Sequence, residues 1–254
     1  MADVIPHRPS PPLLDDDCAL FLDVDGTLVD FSTDPSAVRL LPAVREAVGQ
    51  VADRLGGAVA LVSGRPLEQL DTLFAPLQLP AAGLHGHQMR GDAHAPVAAA
   101  GDSLARLQAL HRKAAQLALD HPGVQVEDKG VSMALHWRAV PQAAEAVTGF
   151  ARQHLEGMPG YRLQPGDHVV EFVPEGSDKG RAVERMMARA PFTGRTPVFV
   201  GDDLTDEFGF AAANHAGGWS VLVGSRTTSA ATHALPGTRA VHAWLMANAT
   251  HQQR

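Results

Sequence analysis

The strongest constraint on the fold of this chain is a repeated local pattern, in which a short apolar run ends at a polar or small residue and a helical pattern follows. The apolar runs are 19–22, 58–62, 197–200 and 219–223, with a weaker one near 81–84. Runs of this length bounded by polar residues predict strands buried on both faces. Strands that alternate with helices predict right-handed βαβ units, and therefore an α/β fold with a doubly wound parallel sheet.

The middle of the chain follows a different pattern. Helical spacing over 104–119 and 143–155 alternates with two hairpin-like segments, 124–137 and 161–173. An α-β-β-α-β-β order predicts an antiparallel sheet with helices on one face. We therefore predict an α+β cap domain, 101–173, inserted into a core domain made of 18–100 and 174–254. The proline-rich stretch 1–17 is predicted to be a flexible leader.

Composition narrows the classes of partner. The net charge is -7 and no basic run is present, which argues against nucleic acid and against an anionic membrane. No apolar run is long enough to span a bilayer, and the first 17 residues do not have the pattern of a secretory signal. The single cysteine, Cys18, excludes an internal disulfide framework and fits a reducing compartment, so we predict a cytoplasmic protein.

Acidic residues follow two of the predicted strands. Asp23 and Asp25 come after the first, and Asp202 and Asp203 come after the run at 197–200. Carboxylates two positions apart on an extended chain point the same way, so they repel each other unless a cation lies between them. Carboxylate and carbonyl oxygens suit Mg²⁺. The ends of parallel strands meet at one edge of a sheet, which predicts that Asp23 and Asp202 converge there.

Each acidic segment also has a purely structural interpretation. Asp-Gly at 25–26 is a common turn dipeptide. In the second segment, Asp203 or Thr205 could cap the next helix, and the helix dipole would favour Asp206 and Glu207 in its first turn. That alternative accounts for the later acids at least in part, but not for Asp202, which precedes the cap.

Two further residues suit an anion at the same edge. Ser63 follows the strand at 58–62 and precedes Gly64, so its hydroxyl and the nearby amides could bind a phosphate. Lys179 lies at a predicted helix start, where the dipole does not favour a lysine. A structural turn for Ser63 and a solvated surface position for Lys179 are the alternatives.

Four segments, in this order, resemble the haloacid dehalogenase superfamily of phosphatases: Asp23-Val24-Asp25-Gly26-Thr27, Val62-Ser63-Gly64-Arg65, Lys179 and Gly201-Asp202-Asp203. Other segments are similar to the trehalose-6-phosphate phosphatases of that superfamily. They are Gly83-Leu84-His85-Gly86, Glu127-Asp128-Lys129-Gly130, His136-Trp137-Arg138, Val170-Glu171-Phe172-Val173-Pro174, and the extension of the last acidic segment through Glu207. Gln88 departs from the family pattern, which usually has a glutamate there.

The resemblance implies specific chemical roles. Asp23 would be the nucleophile that forms an aspartyl-phosphate, and Asp25 would be the general acid and base. Ser63 and Lys179 would hold the phosphoryl oxygens. Mg²⁺ would be held by Asp23, the backbone carbonyl of Asp25 and Asp202, with Asp203 acting through water.

The resemblance also implies a substrate, trehalose 6-phosphate, and a pathway shared with a trehalose-6-phosphate synthase. The residues expected to bind substrate are Thr27, Arg65, His85, Lys129, His136, Arg138 and Glu171. Strands with one solvent-exposed face normally carry a polar residue at every second position. The cap residues in this list could therefore be polar only because they face solvent. Functional alternatives are a sucrose-phosphate or mannosyl-phosphoglycerate phosphatase, a phosphomutase, and a non-catalytic sugar-phosphate sensor.

Overall fold

The computed structural model of this chain describes residues 8–30, 38–90 and 101–251. The chain divides into two compact units: Met1–Gly91 with Asp178–Arg254 form the first, and Asp92–Ser177 form the second. The second unit includes the predicted cap segment 101–173. Within the ranges described, no helix combines the length and the apolar character that crossing a membrane requires.

The elements are numbered in chain order. The strands are β1 (Cys18–Leu22), β2 (Val59–Val62), β3 (Ala81–Gly83), β4 (Gln88–Met89), β5 (Gln125–Asp128), β6 (Met133–His136), β7 (Tyr161–Gly166), β8 (Val169–Pro174), β9 (Thr196–Gly201), β10 (Trp219–Val223) and β11 (His233–Leu235). The helices are α1 (Pro42–Arg54), α2 (Leu67–Phe74), α3 (Gly101–Asp120), α4 (Ala144–Leu155), α5 (Lys179–Met187), α6 (Asp206–His215) and α7 (Thr238–Thr250).

The first unit is built on a seven-stranded sheet in the order β11-β10-β9-β1-β2-β3-β4. Every neighbouring pair is parallel except β3 and β4. All residues of β1 and β2 are buried, which explains their apolar runs. The predicted doubly wound α/β fold is confirmed.

The strand order fixes where a ligand can bind. From β1 the chain moves outward to β2 and β3, and it later returns to the other side of β1 as β9. Ligands of such sheets bind beyond the carboxyl ends of the strands, at the point where this direction reverses. The residues after β1, β2 and β9 therefore share one edge, as the sequence predicts for Asp23, Ser63 and Asp202.

The second unit has a four-stranded antiparallel sheet in the order β5-β6-β8-β7. Both predicted hairpin segments are strand pairs of this sheet. Its helices α3 and α4 pack on the sheet around a separate apolar core that includes Met133, Leu135 and Phe172. Residues alternate along the strands, so the other face of the sheet is left for polar side chains.

The predicted flexible leader is wrong for residues 8–17. Leu14 is fully buried, and its N–H donates to Asn248 Oδ1 at 2.7 Å. Pro12 O accepts from Trp244 Nε1 at 2.8 Å, and Pro9 O accepts from Ala234 N at 3.0 Å. Backbone N–H and carbonyl groups make these contacts, and a proline-rich composition does not reveal them. The rest of the predicted leader, 1–7, lies outside the described residues.

Candidate active site

The loop after β1 is held against the loop after β9. Asp23 N donates to Val200 O at 2.9 Å, which fixes the start of the loop on the neighbouring strand. Gly26 has a φ of 80°, and a Cβ at this position would overlap the Asp202 carboxylate. Only glycine combines that conformation with that space, so the Asp-Gly pair brings the first acidic segment onto the second.

Lys179, the first residue of α5, lies among carboxylates in the interior. Its Nζ donates to Asp23 Oδ1 at 2.7 Å and to Asp206 Oδ1 at 2.6 Å. The side chain of Lys179 is 3% exposed and that of Asp206 is 0% exposed. Burial opposes the charge of Lys179, but Asp206 and Asp23 outweigh that effect and raise the pKa of Lys179. Lys179 is therefore a buried cation, and a solvated surface position is excluded.

Asp206 is the residue that the sequence interpretation undervalued. Its Oδ2 accepts hydrogen bonds from the N–H groups of Asp202 and Asp203, both at 2.9 Å. Gly201 makes room for it, because a Cβ on Gly201 would overlap the Asp206 carboxylate. The first residue before α6, Thr205, makes no side-chain cap bond. Asp206 thus organises the acidic loop, and helix-dipole placement alone does not describe it.

The charges of this cluster do not balance. Carboxylate oxygens of Asp23, Asp202 and Asp206 all lie within 4.8 Å of one another, with Lys179 as their buried cation. Burial, followed by the charge of Asp206, raises the pKa of Asp23 to about 7. Burial, followed by the charge of Asp23, raises the pKa of Asp202 to about 9. The protein therefore holds three carboxylates in a site where Lys179 is the one buried cation that contacts them among the described residues, so negative charge exceeds positive charge.

A divalent cation fits this donor set. Three carboxylates offer hard oxygen ligands, and two positive charges would offset the carboxylate repulsion that, after burial, raises the pKa values of Asp23 and Asp202. Asp203 does not belong to the three carboxylates that could together hold a metal, and burial raises the pKa of Asp203 as well. Thr27 is fully buried, and its hydroxyl lies 3.4 Å from Asp202 Oδ1, so it faces the acidic loop and not solvent.

The loop after β2 approaches the same edge. Ser63 is buried, and its Oγ accepts from the Arg65 N–H at 3.2 Å. Arg65 donates to both carboxylate oxygens of Asp25, from Nε at 2.7 Å and from Nη2 at 2.6 Å. The structure therefore joins a predicted substrate-binding arginine to the predicted general acid, a pairing that sequence alone does not reveal.

The segment after β3 has a strained backbone. Leu84 and His85 both have positive φ values, of 48° and 54°, which non-glycine residues rarely adopt. Hydrogen bonds from Leu84 N to Arg65 O and from His85 N to Ser63 O, each of 3.0 Å, hold this conformation. The His85 ring consequently packs against Gly64, where no Cβ could fit. His85 thus contacts the Ser63 loop through its backbone and its ring.

Gln88 has a structural contact in place of the family's glutamate. Its Oε1 accepts from Leu67 N at 2.9 Å, and Leu67 is the first residue of α2. The residue before α2, Pro66, provides no side-chain cap. Gln88 therefore satisfies an N–H group at the start of α2, which otherwise lacks a partner within the helix.

The second unit gathers polar residues on one face of its sheet. Register places Glu127, Ala134 and Glu171 in one row, so their side chains share a face. Lys129 Nζ lies 3.1 Å from Glu171 Oε2 and 3.9 Å from Glu127 Oε2. His136 Nε2 lies 3.0 Å from Glu127 Oε2. Three predicted residues, Lys129, His136 and Glu171, thus belong to one cluster.

Two members of this polar cluster were not predicted. Ser132 Oγ donates to Glu171 Oε1 at 2.6 Å and is buried. Burial alone would raise the pKa of Glu127, but the hydrogen bond with His136 and the charge of Lys129 lower it. Alternation along β5 would have identified Glu127, since it lies two residues before Lys129.

Arg138 lies outside the polar cluster. Its Nη2 donates to the backbone O of Asp167 at 3.0 Å and to Oδ2 at 2.8 Å. The two side chains are 37% and 58% exposed, and the pair joins the end of β6 to the turn between β7 and β8. A local fold contact therefore accounts for Arg138 at least as well as the predicted substrate contact.

A doubly wound sheet is interrupted in sequence by an α+β unit, and buried Lys179 joins Asp23, after the first strand, to Asp206 of the second acidic segment. This is the arrangement expected of a phosphatase of the haloacid dehalogenase superfamily. The sequence model of the trehalose-phosphatase family matches residues 21–238. The chain belongs to the trehalose-phosphatase family.

Individual relatives agree with this assignment. The chain is 40% identical to the trehalose-6-phosphate phosphatase of Escherichia coli (strain K12), over 89% of this chain and 85% of that protein. It is 38% identical to a probable trehalose-phosphate phosphatase of Sinorhizobium fredii, over 82% of this chain and 78% of the relative. The C-terminal domain of C. albicans trehalose-6-phosphate phosphatase has the same fold, with a TM-score of 0.83 at 20% identity, covering 96% of this chain and 98% of that one.

Proposed function

We propose that this chain hydrolyses trehalose 6-phosphate to trehalose and inorganic phosphate, with Asp23 as the nucleophile and Mg²⁺ as the metal. One observation carries the proposal. Asp23, at the carboxyl end of the central strand, accepts a hydrogen bond from buried Lys179 and is one of three carboxylates that could together hold a cation. Hydrolysis of a phosphate monoester needs that combination, because phosphoryl transfer depends on positioning the reacting groups and on neutralising their charge.

In the first step, a carboxylate oxygen of Asp23 attacks phosphorus, the bond from phosphorus to the sugar oxygen breaks, and an aspartyl-phosphate forms. Asp25 delivers a proton to the departing sugar oxygen. In the second step, Asp25 takes a proton from water while the water oxygen attacks phosphorus and the bond to Asp23 breaks. Lys179 and Ser63 hold phosphoryl oxygens in line. Bound Mg²⁺ would neutralise charge shared by the phosphoryl group and the carboxylates.

The contact between Arg65 and Asp25 places a condition on this mechanism. Both carboxylate oxygens of Asp25 accept hydrogen bonds from the Arg65 guanidinium, so the pair occupies the atoms that would have to carry the proton. Asp25 can therefore donate a proton only after this pair opens. An incoming phosphate is an alternative anion for Arg65, which supports the predicted role of Arg65 in binding substrate.

The metal ligands we propose differ from the sequence prediction in one residue. Asp23 and Asp202 remain ligands, with the backbone carbonyl of Asp25 as predicted. Asp206 joins the group through its carboxylate, while Asp203 and Thr27 support Asp202. His85 is proposed to support the Ser63 loop. A cytoplasmic location and a shared pathway with a trehalose-6-phosphate synthase remain predictions.

Sugar recognition is proposed for the polar cluster of the second unit. Lys129, Glu127 and Glu171 offer charged donors and acceptors on one sheet face, and a disaccharide needs several fixed polar partners. Lys129→Met should raise KM for trehalose 6-phosphate and leave KM for a small aryl phosphate unchanged. An equal rise for both substrates would refute sugar recognition by this cluster.

The function is tested by measuring phosphate release from trehalose 6-phosphate, sucrose 6-phosphate, mannosyl-phosphoglycerate and glucose 6-phosphate. A marked preference for trehalose 6-phosphate is expected, and equal rates would refute the substrate assignment.

Asp23→Asn should abolish turnover, whereas Asp53→Asn, on the exposed side of α1, is the matched control. Activity that survives in Asp23→Asn would refute the nucleophile, and Asp25→Asn tests the general acid in the same way.

A further inference from the structure

The acidic loop after β9, residues 202–205, is held from two directions. On one side, Asp206 accepts the N–H groups of Asp202 and Asp203. On the other side, Arg226 Nη2 donates to the backbone carbonyl of Asp203 at 3.3 Å. Arg226 belongs to the connection between β10 and β11, so a second part of the chain restrains the loop that carries a proposed metal ligand.

Arg226 is itself held by a carboxylate of α6. Its Nη2 lies 2.6 Å from Glu207 Oε1, and the two side chains are 24% and 26% exposed. The second oxygen of Glu207 accepts from Ala230 N at 2.7 Å. Glu207 therefore ties the start of α6 to the connection 224–232. Glu207 thus has a structural role beyond its favourable interaction with the dipole of α6.

The connection that carries Arg226 is anchored by the N-terminal segment. Arg8 donates to four backbone carbonyls of this connection: those of Arg226 at 3.2 Å, Thr227 at 3.2 Å, Ser229 at 2.8 Å and Ala231 at 2.9 Å. A guanidinium group has five N–H donors in a rigid plane, so one side chain can fix several carbonyls at once. The anchored connection gives Arg226 a fixed base.

We propose that Arg226 is a positioning residue for metal binding. It fixes the backbone of Asp203, and through it the direction of the neighbouring Asp202 carboxylate, without being a ligand itself. The inference rests on the proposed function, in which Asp202 holds Mg²⁺. Losing a direct hydrogen-bond partner of a metal ligand typically weakens metal binding about 10- to 100-fold. Arg226 bonds the residue next to the ligand Asp202, so we expect the lower end of that range.

The test measures the Mg²⁺ concentration that gives half of the full rise in melting temperature, with no substrate present. We expect Arg226→Gln to need about tenfold more Mg²⁺ than the unmodified chain. Arg226→Lys keeps a positive charge and a donor, so it should lie between the two. If Arg226→Gln does not fold, the comparison of Arg226→Lys with the unmodified chain decides the question.

Arg54 offers a matched control. It also donates to a carboxylate, Asp16, and to a backbone carbonyl, Leu14 O, and its Nε, like that of Arg226, is buried without a hydrogen bond among the described residues. Arg54 ends α1 and precedes β2, so it lies at the opposite end of the strands from the acidic loop. Arg54→Gln should leave the half-saturating Mg²⁺ concentration unchanged.

The outcomes separate the two levels of the argument. If the unmodified chain shows no stabilisation by Mg²⁺, the proposed metal site itself fails. If that chain responds but Arg226→Gln half-saturates at the same concentration, the positioning role is overturned and the metal site stands. An equal shift in Arg54→Gln also overturns the positioning role, because general loss of stability would then explain the effect.

Discussion

Replacing Lys179 by methionine tests the charge balance of the site. Methionine keeps most of the length and the apolar part of the side chain but removes the buried cation from between Asp23 and Asp206. Both carboxylates then remain in the interior without their ion pairs. Removing one partner of a buried pair typically costs about 3–5 kcal/mol, because the remaining charge is left without compensation.

This cost can be converted into a urea concentration. For a slope of about 2–3 kcal/mol per molar urea, a loss of about 3–5 kcal/mol lowers the unfolding midpoint by about 1–2.5 M. Unfolding is followed by the fluorescence of Trp219 and Trp244, which belong to the same unit as Lys179. Lys113→Met, at an exposed position on α3, is the matched control and should leave the midpoint unchanged.

The effect of Lys179→Met should depend on pH. In the unmodified chain the pKa of Asp23 is already raised to about 7, and loss of the cation raises it further. An acid with a raised pKa destabilises the fold as pH rises, because the unfolded chain releases its proton first. The loss should therefore be larger at pH 8 than at pH 5.5. Equal midpoints for Lys179→Met and Lys113→Met at pH 8 would refute the reasoning.

Three further outcomes are expected. Without metal, the fold should lose stability as pH rises from about 4 towards 9, since the pKa values of Asp23 and Asp202 are raised from 3.8 to about 7 and about 9. Mg²⁺ should therefore raise the melting temperature more at pH 8 than at pH 5.5. An equal rise at the two pH values would contradict the assignment of these carboxylates to the metal site. Gln88→Ala should lower the free energy of urea unfolding by about 1 kcal/mol, because Leu67 N at the start of α2 loses its acceptor, whereas Gln88→Glu keeps an acceptor and should keep the stability. Unchanged stability of Gln88→Ala would show that this contact is unimportant. Asn248→Ala should cost about 1–3 kcal/mol because Leu14 N loses its buried acceptor, and unchanged stability would contradict the packing of residues 8–14.

The fold of the sheet was largely predictable because its signal is local. Strands buried on both faces need continuous apolar runs, and β1, β2, β9 and β10 all have them. The residues that follow such runs lie at one edge of the sheet, so the sequence alone predicts that Asp23 and Asp202 lie close together. Short or marginal elements lack that signal, and β4, with two residues, was not predicted.

The contacts that organise the site could not be predicted, because they join distant parts of the chain. Asp206 reaches back to the backbone of its own loop only because Gly201 leaves space. Arg65 and Asp25 are 40 positions apart, and no local pattern relates them. The packing of residues 8–14 depends on backbone N–H and carbonyl groups, which every sequence has. Sequence patterns identify the chemical groups of this site, and only the folded chain defines their partners.

The position of the inserted unit has a consequence for how the chain is made. Asp23 and Lys179 are 156 positions apart, and β1 pairs on one side with β9. At about 5–20 residues per second, a ribosome needs roughly 8–30 s to travel from one member of this ion pair to the other. Throughout that time β1 has an unpaired edge, which is a risk for association with other chains. The centre of the sheet, which begins first in the sequence, is among the last parts that synthesis allows to be completed.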